Sequence, residues 1–130
     1  MKNIIIIILF TLLSCTKGKE EPINNIPSEL IGKWKIFKIF ESDGNCIDNC
    51  WVEFDSGKEF DLWLKSDGTY LDSPNNNCNN CTYYLIEDKL FFLPYGEDSP
   101  GKINLLNDNY LTLWWNDFEG FGHKYKKIIE

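Results

Sequence analysis

Five cysteines, one histidine and a cluster of carboxylates are the side chains of this 130-residue sequence whose types could do chemistry. Cys46 and Cys50 stand as C-x3-C, and Cys78 and Cys81 as C-x2-C. Four thiolates at such spacings could hold zinc tetrahedrally, or they could bond to one another in pairs. The compartment decides between these. The chain starts Met1-Lys2-Asn3, runs apolar from Ile4 to Leu13 and reaches Ser14. A basic start, an apolar segment and a small residue before the cut are the parts of a secretory signal. The segment is too short to span a bilayer, which takes roughly 20 apolar residues. Outside the cytoplasm thiols oxidise, so disulfides are the expectation. With Cys15 set apart at the cut, four cysteines remain, an even number. The expected bridges join the two loops that carry them: Cys46–Cys81 with Cys50–Cys78, or the parallel choice. Each would close a ring of roughly 30 residues, contributing about 3–4 kcal/mol. Local pairs, Cys46–Cys50 and Cys78–Cys81, and a zinc site stay open as alternatives.

His123 is the only histidine, and no Ser or Cys is placed to pair with it, so it reads as a surface or rim residue. Asp43, Asp48, Glu53, Asp55, Glu59 and Asp61 crowd one stretch. They lack the D-x-[DN]-x-[DN]-G-x5-E spacing of a calcium loop and read as a solvated acidic rim. No phosphate loop and no metal-binding histidine motif occurs. The expectation is a non-enzyme with no cofactor and no metal.

Composition narrows the fold and the partners. The chain has no Ala, Gln or Arg, and its single Met is Met1, so several of the best helix formers are missing. Five Trp, six Tyr and nine Phe, with many Ile and Leu, suit pleated, half-buried strands. The formal charge is −7, and it becomes −8 once residues 1–14, which hold one Lys and no acid, are removed. That balance excludes nucleic acid as a partner, because phosphates demand a basic face. It also leaves any membrane attachment to lipid rather than to electrostatics.

The elements that must position these residues are short strands between turn signals. Strands are predicted over 32–40, 59–65, 69–72, 82–86, 89–93, 102–106, 110–116 and 121–129. Ser66-Asp67-Gly68, Glu87-Asp88 and Asn107-Asp108-Asn109 are tight hairpin turns. The other connections, 41–58, 73–81, 94–101 and 117–120, are longer. In an up-and-down meander alternate connections lie at the same end, so the long loops share one end and the tight hairpins the other. Eight antiparallel strands close into a barrel whose interior is filled by side chains or holds one small ligand. Alternation places Trp34, Phe60, Leu62, Leu64, Tyr84, Phe91, Leu111, Leu113 and Trp115 inward. Of these, Trp34, Phe60, Leu62, Tyr84, Phe91, Leu113 and Trp115 are the candidate ligand-binding residues. Trp63 and Trp114 fall on the opposite phase, as an outer contact surface or under a cover supplied by the tether.

Two resemblances add to this reading. Leu12-Leu13-Ser14-Cys15 resembles the lipobox of bacterial lipoproteins. That resemblance implies removal of residues 1–14 and acylation of Cys15, palmitate included. It also implies a lipid-anchored protein of the cell envelope, at the outer membrane of a Gram-negative cell. The all-β, eight-stranded up-and-down barrel is similar to the lipocalin-like domain of small bacterial lipoproteins. Leu30-Ile31-Gly32-Lys33-Trp34 matches the lipocalin G-x-W, and Phe60 through Tyr70 matches the family's Asp-Gly hairpin. Leu111-Thr112-Leu113-Trp114 matches its closing hairpins. The arginine that stacks on the G-x-W tryptophan in lipocalins is absent; Lys124 or Lys126 is expected over Trp34.

The organisation that follows is a signal peptide (1–14), a lipid-anchored tether (15–28) and a barrel domain (29–130). The tether holds two prolines and no period, and its random coil reaches roughly 20 Å. The expected function is non-catalytic binding of a small apolar ligand at the membrane. The alternative is a protein-binding or inhibitor module that turns the acidic, loop-bearing rim toward a basic partner.

Overall fold

The structure is a computed structural model in which residues 25–41, 46, 50–115 and 120–130 are described. The signal peptide, Cys15 and the tether as far as residue 24 lie outside the described residues, as do Asp43 and Asp48. Among the described residues a 3-10 turn, Ser28–Leu30, precedes nine strands. These are β1 (Gly32–Phe40), β2 (Trp51–Glu53), β3 (Leu62–Leu64), β4 (Tyr70–Leu71) and β5 (Thr82–Ile86), then β6 (Lys89–Leu93), β7 (Gly101–Leu106), β8 (Tyr110–Trp115) and β9 (Phe121–Lys127).

Turn chemistry explains why the chain reverses where it does. Asp67 Oδ1 accepts from the Thr69 N–H at 2.9 Å and from its hydroxyl at 2.6 Å, and Gly68 takes φ +83°. That left-handed position costs a glycine nothing, so the β3–β4 hairpin is tight. The same hydrogen bonds hold the Asp67 carboxyl below its ordinary range. Asn107 Oδ1 caps the β7–β8 turn through the N–H groups of Asn109 (2.9 Å) and Tyr110 (2.8 Å).

Every strand pairing is antiparallel, in the order β4-β3-β1-β9-β8-β7-β6-β5. The last strand lies beside the first, with Trp34 opposite Lys127 and Ile36 opposite Tyr125. The seam between β4 and β5 is drawn together by a bridge between Thr69 and Thr82. There the Tyr70 N–H donates to Cys81 O (3.1 Å) and the Tyr83 N–H to Gly68 O (2.8 Å). The result is a nearly closed, eight-stranded antiparallel barrel. β2 is additional: it pairs with the far half of β1, Phe40 opposite Trp51, inside the stretch expected to be a loop. β3 and β4 are shorter than the sequence suggests, because β2 and the chain after it occupy part of the same edge of β1.

The barrel's floor is built on Trp34, which is fully buried. Its indole N–H donates to Leu30 O at 2.9 Å. Lys127 Nζ stands 4.7 Å from the ring centre and donates to Glu29 O at 2.7 Å. The lysine over Trp34 is therefore Lys127, not Lys124 or Lys126. Those two lie on the outward phase of β9, and Lys124 instead covers Trp51 at 4.4 Å. Ile26, in the stretch before Ser28, packs on the core.

The outer face is covered too. Trp63 lies under Lys33 (4.8 Å) and Lys65 (4.4 Å), and Trp114 meets Phe40 edge-on at 4.7 Å. Both are half-buried by these neighbours rather than offered as an open surface. Gly122 makes room for this packing. A Cβ there would stand 2.5 Å from Trp114 Cε3 and 2.8 Å from Trp51 Cη2. Gly122→Ala is expected to lower stability by about 1–3 kcal/mol, the range for overpacking, read as a shifted midpoint in urea unfolding.

Candidate functional site

Above the floor the interior is not filled. A cavity of about 360 Å³ opens at the long-loop end, within the size range of small-molecule sites. Its walls come from four parts of the barrel. β1 supplies Ile36, and the chain entering β3 supplies Asp61 and Leu62. β4 and β6 supply Tyr70 and Phe92, whose rings meet edge-on at 4.9 Å. β8 and β9 supply Trp115, Phe121, His123 and Tyr125. Lys58, Asp72 and the largely exposed Tyr95 stand at the mouth.

Strand pairing makes the aromatic wall. Trp115 lies opposite Phe121, Leu113 opposite His123 and Leu111 opposite Tyr125, so these residues share the inner face. The Trp115 and Phe121 rings stack at 4.9 Å, and His123 stands edge-on to Trp115 at 5.1 Å. His123 Nδ1 and the Tyr125 hydroxyl are 3.1 Å apart.

Asp61 brings a carboxylate into this apolar wall. Its N–H donates to Trp34 O (2.9 Å), and its Oδ2 accepts from the Ile36 N–H (2.8 Å). The side chain thus takes the place of a strand partner on the edge of β1 between the end of its pairing with β3, at Trp34, and the start of its pairing with β2, at Lys38. Burial lowers the pKa of His123, with the Asp61 charge acting in the opposite sense. Burial, with help from Asp61, pushes the Tyr125 hydroxyl far above its usual range, and burial next to Asp72 raises Tyr70. At neutral pH the His123 imidazole and the Tyr70 and Tyr125 phenols in the cavity are therefore neutral. Among the described residues the lining contains no Ser, Thr or Cys.

The predicted ligand residues divide. Leu62 and Trp115 line the cavity. Trp34 and Leu113 are fully buried in the core beneath it. Tyr84 and Phe91 are on the other face, stacked on each other at 4.8 Å, while Tyr83, Leu90 and Phe92 turn inward. The sequence offers Tyr-Tyr and Phe-Phe there, so alternation cannot choose a phase. The Tyr83 hydroxyl decides it by donating to Lys65 O at 2.6 Å. Phe60 is buried, but under Lys33 (5.6 Å) and beside Trp63 (5.8 Å), outside the core cluster. Strand structure begins only at Leu62, so alternation does not extend back to residue 60.

The residues missed were the inner row of β9 together with Ile36, Asp61, Tyr70 and Phe92. The sequence Phe121-Gly-His-Lys-Tyr-Lys does alternate, and reading His123 with Phe121 and Tyr125 rather than alone would have placed it inside. Of the acidic stretch, Glu53, Asp55 and Glu59 pair with Lys38 (3.4 Å), Lys35 (3.2 Å) and Lys33 (3.5 Å), which removes much of the expected acidic rim.

The cysteines also differ from expectation. Cys46 bonds to Cys50 and Cys78 to Cys81, with Cα–Cα distances of 5.7 and 5.6 Å. The Glu41 N–H donates to Cys50 O, which ties Cys50 to the far end of β1. Cys81 is level with Tyr70, hence with Leu64 and Gly32, at the near end. The length of β1, about 25 Å, separates the two along the strands, beyond the reach of any bridge. Bonded in pairs, the sulfurs do not form a four-thiolate zinc site.

Comparison with protein-family models, curated proteins and solved structures finds no match to this chain.

The His123 environment has a measurable consequence. Unfolded histidine takes up a proton near pH 6.5, whereas the native imidazole, facing Asp61 and the Tyr125 hydroxyl, does so at lower pH. Between those values the unfolded state binds more protons, so stability falls as the pH is lowered from about 7, by at most about 1.4 kcal/mol per pH unit. Urea unfolding from pH 7.5 to 5 should show a smaller loss in His123→Gln than in the parent.

Proposed function

We propose that this chain is a lipid-anchored cell-envelope protein, similar to the lipocalin-like lipoproteins, that holds a small, largely apolar ligand without transforming it. The observation that carries the reading is the aromatic-lined cavity of about 360 Å³ at the loop-bearing end of the barrel. An empty apolar space in a domain this small forfeits packing, so an unfilled mouth above a filled floor favours a binding role over a purely structural one.

The anchor reading rests on Cys15 in its lipobox-like context. Residues 25–30 approach the barrel at the tight-hairpin end, where Leu30 meets Trp34. A lipid on Cys15 would then set that end toward the membrane and turn the cavity mouth away from it. Cys15→Ser is expected to abolish incorporation of labelled palmitate and to move the protein from the membrane pellet to the soluble fraction. Unchanged labelling would overturn the anchor.

Binding is tested by calorimetric titration of the full chain, in nonionic detergent, with the neutral aromatic 2-phenylethanol, subtracting protein-free micelles. Saturable one-to-one binding is expected. It should weaken about 5- to 10-fold in Trp115→Ala, the loss typical of an aromatic contact. Removing the exposed rim ring in Tyr95→Ala should weaken it less, and the outer-face Tyr84→Ala should leave it unchanged. Equal affinity in the parent and Trp115→Ala, or no saturable heat at all, would remove the reading.

A further inference from the structure

The polar groups of the cavity say what kind of apolar ligand it suits. We infer that the ligand carries an amine or other cationic nitrogen on its apolar body, set against Asp61 and the aromatic wall; this rests on the binding role proposed above.

Three observations converge. The first is the sign of the lining. Asp61 and Asp72 are acidic, and the one lysine of the lining among the described residues, Lys58, is exposed at the mouth. His123 supplies no compensating charge, since burial favours its neutral form. A ligand carboxylate brought into this space would meet the Asp61 carboxylate at close range, where like charges repel. A ligand ammonium would be attracted by the same group.

The second is that Asp61 is held in place before any ligand arrives. Its backbone N–H is bonded to Trp34 O and its Oδ2 to the Ile36 N–H. A charged acceptor already fixed by the barrel wall loses little freedom on binding a donor, which is the condition for a strong charge-assisted hydrogen bond.

The third is the surrounding aromatic surface. Cations favour the faces of Trp and Tyr within about 6 Å. This chain uses that contact repeatedly with its own lysines: Lys127 over Trp34 (4.7 Å), Lys124 over Trp51 (4.4 Å) and Lys65 over Trp63 (4.4 Å). Trp115 lies in the cavity, with Phe121 and His123 as its ring neighbours among the described residues. A ligand ammonium between Asp61 and this wall would combine a carboxylate and π-faces, as organic-cation sites do.

The test compares three ligands of one shape and different charge: 2-phenylethylamine, 2-phenylethanol and phenylacetate, each titrated calorimetrically at pH 7.5 into the full chain. The amine should bind at least tenfold more tightly than phenylacetate, with the alcohol between them. Asp61→Asn, whose amide oxygen can still accept from Ile36, should bring amine and alcohol within about threefold of each other. Asp72→Asn, an exposed change that leaves the wall intact, should reduce the amine preference two- to threefold and serves if Asp61→Asn fails to fold. If the alcohol or phenylacetate binds as tightly as the amine, the charge inference is overturned while the binding role stands. If none of the three binds, both fall.

Discussion

The barrel is organised around the burial of one indole. Trp34 is enclosed where the first strand, the 3-10 turn before it and the last strand meet. Removing a side chain of this size from water is worth about 4–6 kcal/mol. That gain survives only because the indole N–H finds an acceptor in Leu30 O. An unpaired donor there would return about 1–3 kcal/mol of it. Lys127 completes the arrangement, its ammonium over the ring and bonded to Glu29 O. The two ends of the domain, the turn and first strand on one side and the last strand on the other, are thus tied at one point, where β1 and β9 pair antiparallel.

Once that end is filled, the other is left to differ. There β4 stops after two residues, and among the described residues its seam with β5 is held near Thr69 and Thr82. The aromatic rows of β8 and β9 continue past this short edge and face open space instead of a partner strand. Asp61 enters the wall there because β3 pairs with β1 only as far as Trp34 and β2 only from Lys38, which leaves the Ile36 N–H to be satisfied, and a carboxylate oxygen does so. The charge in the cavity is therefore a by-product of how the wall is closed. In this barrel the same hydrogen bond completes the sheet and creates the polar feature of the site.

Much of the frame was legible. β1, β5 and β6 begin and end where alternation and turn residues place them, and β8 and β9 differ only at their ends. The Asp67-Gly68 and Asn107–Asn109 turns act through local side-chain hydrogen bonds, so sequence alone carries them. Legibility failed where neighbouring residues are chemically alike. Tyr83-Tyr84 and Phe91-Phe92 give no contrast between faces, and their phase goes with a contact from Tyr83 to Lys65 across the β4–β5 seam. It failed again for β2, a short strand concealed in a loop-like stretch, whose pairing with β1 separates the two cysteine pairs and leaves each to close on its nearest partner.

The sequence by itself determined the class of the protein. A chain without Ala, Gln or Arg, rich in aromatic residues and punctuated by Asp-Gly and Asn turns, is committed to antiparallel strands by local preference. Tertiary structure alone decided which residues form the site. Trp34 went to the floor and Trp115 to the mouth, while His123 and Asp61 turned inward and Phe60, Tyr84 and Phe91 outward. The physical reason is range. Strand and turn formation depend on neighbours a few residues away, whereas a cavity is what remains after distant strands have packed. Its walls are fixed by register, bulge and seam, none of which is written in any one segment.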